Sequence, residues 1–170
     1  MSKYNVPENN SLKDEIEELL ELCEKAKEEY GENSSIFAQG IEEKEMTDWE
    51  KENGITIPES YKEWLRFSAL CQIRQMVASF NPPSEFHSEY VPEDYIVIGT
   101  MVGDGEVICF SKTSGDFVRF YNGRENGRED NFKNVLKDII GNIRGDDIFT
   151  PERKAEILAK LREMRANGEL

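Results

Sequence analysis

Pro92-Glu93-Asp94-Tyr95-Ile96-Val97-Ile98-Gly99-Thr100-Met101-Val102-Gly103-Asp104-Gly105-Glu106-Val107-Ile108-Cys109-Phe110 reads as two buried strands joined by a glycine-punctuated turn. Residues 95–98 and 107–110 are uninterrupted apolar runs rich in β-branched and aromatic side chains. That is the pattern of strands covered on both faces rather than wetted on one. Between them Asp104-Gly105 accommodates the positive φ that a tight hairpin demands. Every other segment makes sense as something packed around this pair.

Downstream, Lys112-Thr113-Ser114-Gly115 puts glycine last in a turn, as a hairpin with a glycine bulge requires. Residues 116–121 follow as a third strand, Phe117, Arg119 and Tyr121 alternating with Val118 and Phe120. Asn122-Gly123-Arg124-Glu125 is then repeated at once as Asn126-Gly127-Arg128-Glu129, a tandem that reads as flexible loop. Asp130 or Asn131 caps a helix with Phe132, Val135, Leu136, Ile139 and Ile140 inward, a pattern broken over 141–147. Thr150-Pro151 opens a last helix whose stripe is Ile157, Leu158, Leu161 and Met164.

Upstream, residues 1–10 are polar and read as a flexible arm, with one domain over 11–170. Ser11-Leu12-Lys13-Asp14 resembles a capping box. Leu12, Ile16, Leu19, Leu20 and Cys23 then mark one apolar stripe of a helix that Gly31 ends, docked on the domain's own sheet or on a partner helix. After a connection over 33–40, a second helix from about Ile41 turns Met46 and Trp49 inward and stops at Asn53-Gly54. Ile57-Pro58 begins a third, with Tyr61, Trp64, Leu65 and Ser68 on one face; its aromatic residues are core rather than a ligand cage. A first strand falls within 73–80, and the acidic run Glu85-Phe86-His87-Ser88-Glu89-Tyr90 leads into the hairpin.

Two blocks carry a resemblance. The first is Met46-x-x-Trp49-Glu50-x-x-Asn53-Gly54-Ile55-x-Ile57-Pro58-x-x-Tyr61-x-x-Trp64-Leu65. The second is Asp94-Tyr95-x-x-Ile98-Gly99 followed by Gly103-Asp104-Gly105-Glu106, a strand from Asp116 and an apolar helix near Phe132. In order and spacing they are similar to the SUKH superfamily, specifically its SMI/KNR-type cell-wall-assembly-regulator branch, over residues 41–143. Residues 67–73 depart from the family pattern, which usually has an asparagine-glycine turn there. The resemblance implies a SUKH-like α+β fold and, since most bacterial members are thought to be immunity proteins, a role against a cognate toxin. The regulatory branch implies the alternative of an intracellular regulatory or scaffolding module.

The net charge of -14 is unevenly spread: residues 1–60 hold 17 Asp and Glu against 6 Lys and Arg, giving -11. No Lys or Arg occurs over 75–111, whereas Glu85, Glu89, Glu93, Asp94, Asp104 and Glu106 do. Such a chain repels nucleic acid and anionic membranes and attracts a basic protein. Those six carboxylates are therefore the candidate partner-binding residues, and the expected partner is a basic, nuclease-like toxin. Oligomeric state stays open.

Chemistry is hard to place. His87 is the single histidine, so any Ser-His-Asp or Cys-His site would need it, and there is no Gly-x-Ser-x-Gly elbow. Gly103-Asp104-Gly105 lacks both the lysine of a phosphate loop and the spacing of a dinucleotide site. Cys23, Cys71 and Cys109 are widely spaced and read as reduced, buried small hydrophobes. With no apolar run long enough for a span or a leader, the expected location is the cytoplasm. The expectation is one α+β domain, an antiparallel meander of at least three and at most about six strands flanked by helices, with no catalysis, cofactor or metal.

Overall fold

The computed structural model describes residues 4–74, 77–101, 105–147 and 151–168. Its sheet has seven strands, antiparallel throughout and laid down in chain order: β1 (Ile36–Phe37), β2 (Cys71–Ile73), β3 (Ala78–Phe80), β4 (Tyr95–Met101), β5 (Glu106–Ser111), β6 (Phe117–Tyr121) and β7 (Arg124–Glu129). The helices are α1 (Lys13–Tyr30), α2 (Glu43–Asn53), α3 (Glu59–Phe67), α4 (Phe132–Asp147) and α5 (Pro151–Ala166). This is the α+β meander expected, with more strands than anticipated. Among the described residues no helix is long and apolar enough to cross a membrane.

β4 and β5 form the central pair, with Ile96 opposite Phe110 and Val97 opposite Cys109 before a bulge between Val97 and Gly99. Alternation sends their side chains into two cores. Ile96, Ile98, Ile108 and Phe110 join the large one, beneath Ile16 and Leu19 of α1, Tyr61 and Trp64 of α3, and Leu136 of α4. Phe132 is its hub: the rings of Tyr61, Phe80, Phe117 and Trp64 lie 5.0, 5.1, 5.3 and 5.7 Å from it, mostly edge-on. Val97, Cys109, Val118 and Phe120 form a second, smaller core on the opposite face, with Val91, Tyr95 and Val107 packed against it. Both faces of the hairpin are thus covered, as its unbroken apolar runs require.

Several expectations are corrected. Leu12 holds the cap position of α1 without a side-chain bond, and Asn10 Oδ1 accepts from Leu12 N at 2.9 Å in place of the capping box. Residues 4–10 lie against the body of the protein rather than loose: Asn10 donates to Glu63 O at 2.7 Å, and the Tyr4 ring meets Phe37 edge-on at 5.2 Å. Two strands replace the one read within 73–80, because the chain turns at Arg74, held at φ 42°. The Asn-Gly-Arg-Glu tandem is a hairpin, not a loop. Asn122 and Gly123, both at positive φ, make its turn, and the second copy runs within edge strand β7. α4 continues through Gly141 and Gly145, its far end anchored by fully buried Ile143.

Candidate functional site

β3 is short, so it pairs with β4 only at residues 99–101 and leaves the first half of β4 with an open edge. The chain itself fills that edge. After a single 3-10 turn at Pro83–Glu85, His87 bridges Val97, whose N–H donates to His87 O at 2.7 Å. Phe86 turns to the large core, its ring 5.2 Å from Trp49, 5.9 Å from Tyr61 and 6.1 Å from Phe110. Val91 turns to the small core on the other face. Clamped from both faces of the sheet, the loop throws its apex, Ser88-Glu89-Tyr90, into solvent.

Tyr90 is 92% exposed and adopts φ 64°. The left-handed region disfavours any side chain with a Cβ, and a bulky residue there is unusual. A large aromatic held out in that conformation, on a segment that also carries exposed Glu85, Glu89 and Glu93, has the make-up of a contact residue. Tyrosine contributes much contact area for few rotatable bonds, and a clamped loop loses little freedom on binding. Sequence reasoning named the acidic run but passed over Tyr90. Its signal was a tyrosine set among Ser88, Glu89 and Glu93, outside any apolar run.

The five candidate carboxylates among the described residues do not form one face. Glu85, Glu89 and Glu93 are exposed on the loop. Asp94 is half-buried and structural: its Oδ2 accepts from Ser111 Oγ at 2.6 Å and Thr113 Oγ1 at 3.1 Å, tying the β5–β6 turn to the start of β4. Glu106 is only 7% exposed, bonded by Asn126 Nδ2 at 2.7 Å and 3.6 Å from the Arg119 guanidinium, so it offers no free charge. It pairs with Met101, six residue steps beyond Tyr95, which puts it about 20 Å along the strand from Tyr95, the neighbour of Asp94, at ~3.3 Å per residue. Asp104 lies outside the described residues. Glu106, at the start of β5, and the acids preceding β4 fall at opposite ends of the same strands, which proximity in sequence concealed.

The thiols are unsuited to nucleophilic work. All three are free and buried, and burial pushes Cys109 up to about 12 and raises Cys23 and Cys71 as well. A nucleophilic cysteine needs the opposite shift. His87 stands exposed on the loop, engaged through its backbone. Among the described residues no three metal-ligating side chains cluster.

The helix-glycine-proline-helix opening and the β4–β5 hairpin both lie within the stretch that comparison with known families matches. The model of the SMI1 / KNR4 family (SUKH-1) matches residues 40–139, more than half of the chain. The chain belongs to the SMI1 / KNR4 family (SUKH-1). The match begins at the entrance to α2 and ends within α4, so the SUKH-1 unit includes the clamped loop, whereas α1, β1 and α5 lie outside it. The comparison with curated proteins gives no match.

Proposed function

We propose that this SUKH-1 protein is an immunity protein that works in the cytoplasm, binding a cognate toxin domain and blocking it. The observation that carries the reading is Tyr90, 92% exposed at φ 64°, at the apex of a loop fastened to both cores and bearing Glu85, Glu89 and Glu93. Family membership supports it. A toxin that acts on nucleic acid needs a basic site, and a rigid acidic projection with an aromatic tip is complementary to one. Opposite charges steer the encounter, raising association rates toward ~10⁸ to 10⁹ M⁻¹ s⁻¹ at low salt, while the buried ring slows release. On this reading the chain makes and breaks no bonds of its own, and its partner is a protein rather than nucleic acid or membrane.

The test is co-expression with the toxin domain encoded beside it. Wild-type protein should rescue growth and bind the domain with an association rate that falls as salt rises. Tyr90→Ala combined with Glu89→Gln should abolish rescue while keeping the unfolding midpoint. Failure of the wild-type protein to bind or rescue overturns the reading. Capture of several partners irrespective of salt would favour the scaffolding alternative.

A further inference from the structure

The sheet ends at β7 in an open edge. β1, at the other side, is two residues long, whereas β7 offers six, with Arg124, Glu125, Asn126 and Arg128 exposed. The register fixes which backbone groups face outward. Ser111 N donates to Asp116 O at 2.8 Å, so in the β5–β6 ladder Val118 and Phe120 also turn their N–H and C=O groups to β5, and Phe117, Arg119 and Tyr121 turn theirs to β7. Their partners Glu129, Gly127 and Arg124 point back at β6. Glu125 and Arg128, opposite Phe120 and Val118, therefore aim their backbone groups at solvent. Asn126 faces no residue of β6, and this bulge lets the two outward residues stand three apart in sequence while sharing a face. The Arg128 guanidinium accordingly donates from Nε to Glu125 Oε1 at 2.9 Å.

Reversed, this strand is its own complement. Arg-Glu stands on either side of Asn126-Gly127, and Arg-Glu read backwards is Glu-Arg. We propose that β7 pairs antiparallel with β7 of a second copy about a twofold axis between Asn126 and Gly127, joining the two sheets into one. In that register Glu125 lies opposite Arg128 and Arg124 opposite Glu129, each relation occurring twice. Glu125 and Arg128 of the two copies form the hydrogen-bonded pairs, so every outward donor and acceptor on both strands is used. A register centred on either residue would set Glu125 against Glu125 or Arg128 against Arg128, and like charges directly opposite are destabilising. Charges on an edge strand ordinarily keep it from pairing, and here their order leaves one register open. With two arginines and two glutamates the strand is neutral in a chain of net -14, which makes this edge a place where two copies repel each other little. Any extended segment can add to a sheet edge, but a second copy supplies the opposite charge at every charged position. The contact is small beside stable interfaces of ~1,200–2,000 Å², so the dimer is weak and forms as concentration rises.

The test uses the full chain, with sedimentation over a concentration series and backbone amide exchange read residue by residue. Wild type should dimerise as concentration rises, with exchange slowing at Glu125 and Arg128. Arg124→Glu and, separately, Glu129→Arg should each weaken the dimer by about tenfold or more, because two like-charge pairs then meet across the axis. Mixed one to one, the two variants should recover it as a heterodimer, since each supplies the charge the other lacks. Glu125→Pro removes an N–H that makes no bond within the protomer, so it should abolish the dimer while nearly keeping the unfolding midpoint. The same midpoint checks that the charge variants fold. A wild-type protein that stays monomeric at every concentration, a dimer that these variants leave unchanged, or a mixture that associates no better than its components would overturn the proposal. So would slowed exchange at those two amides that appears only when the toxin domain is added, because the edge would then be filled by a strand of the partner.

Discussion

Replacing Tyr90 by alanine and, separately, by glycine isolates the strain in the binding loop. The ring is 92% exposed, so either substitution forfeits almost no burial. What differs is the backbone. At φ 64° a residue with a Cβ bears about 1–2 kcal/mol that glycine does not. Alanine keeps that cost. Glycine removes it but gives the unfolded chain freedom worth about 0.4–1 kcal/mol. The glycine variant should therefore be the more stable of the two by about 0.8 kcal/mol, which at a urea slope of about 2 kcal/mol/M moves the midpoint by about 0.4 M. Paired urea titrations followed by tryptophan fluorescence measure it, Trp64 being fully buried and Trp49 packed against Phe86 beneath the loop. On the proposed function both variants should lose the toxin contact, so the stabilised protein would be the poorer inhibitor, the trade expected where a contact residue is held in a costly conformation. A glycine variant no more stable than the alanine one would refute the strain, and with it the claim that the loop is clamped firmly enough to impose it.

Gly99→Ala and Gly127→Ala should behave differently, although a Cβ would meet a neighbour at under 3.0 Å at both. A Cβ on Gly99 would stand 2.0 Å from Ser79 O, a backbone atom of β3 that cannot yield without opening the sheet, so a loss at or above the upper end of about 1–3 kcal/mol is expected in denaturant titrations. A Cβ on Gly127 meets only the Arg119 guanidinium at 2.6 Å, a mobile group, so the loss should be under about 1 kcal/mol. Glu43, held below the usual carboxylate range by hydrogen bonds from Arg66, contributes stability that is present above its unfolded pKa and lost as pH falls through the lower folded value. Glu43→Gln should thus cost under about 1 kcal/mol at pH 7, the pair being largely exposed, and the difference from wild type should vanish in urea titrations at acid pH. For the buried thiols the sign reverses: with Cys109 pushed up to about 12, their contribution is full below the unfolded thiol pKa and declines as pH climbs past it. Iodoacetamide at pH 8 should label them only as fast as the protein unfolds, measured by mass spectrometry, and rapid labelling of the native state would contradict their burial.

The parts of the fold legible in sequence are those where one residue type has one structural use. Unbroken β-branched runs at 95–98 and 107–110 can serve only strands covered on both faces, and two cores are found there. Gly54, at φ 64° after Asn53, and Pro58, just before α3, likewise mark helix ends by conformations other residues disfavour. β1 escaped because two residues carry no period. β7 escaped because an edge strand has no need of apolar side chains, and because repetition drew the eye from Asn122-Gly123, a strong hairpin signal. In the candidate site the acidic loop was legible as charge. Its support was not, since Phe86 and Val91 do their work from opposite faces of a strand that neither belongs to. Glu106 misled for the converse reason: a carboxylate next to a turn glycine reads as exposed, and only the register of β6 and β7 brings Arg119 and Asn126 over it.

The clamped loop resolves two demands at once. A meander in chain order with strands of unequal length leaves backbone donors and acceptors of the longer strand without a neighbour, and an open edge of that kind invites pairing with other chains. β4 outruns β3 by four residues, 95–98, and the loop closes part of that gap through the His87–Val97 bridge and Asn81 N donating to Ile98 O at 2.8 Å. Closing it obliges the chain to pass from one face of the sheet to the other, which is why Phe86 and Val91 lie on opposite cores and why residues 88–90 between them have nowhere to go but outward. Exposure of the apex is thus a consequence of sealing the edge, and it decouples the two tasks. Phe86, His87 and Val91 hold the sheet, while Glu89 and Tyr90 touch solvent alone and can be exchanged without disturbing either core. A scaffold whose recognition tip can change while its edge seal stays fixed is suited to meeting different partners with one fold. On that logic Phe86→Ala should destabilise the protein, by less than the about 3–5 kcal/mol a fully buried phenylalanine costs because its ring is only partly buried, and Tyr90→Ala by almost nothing, while on the proposed function both lose the partner.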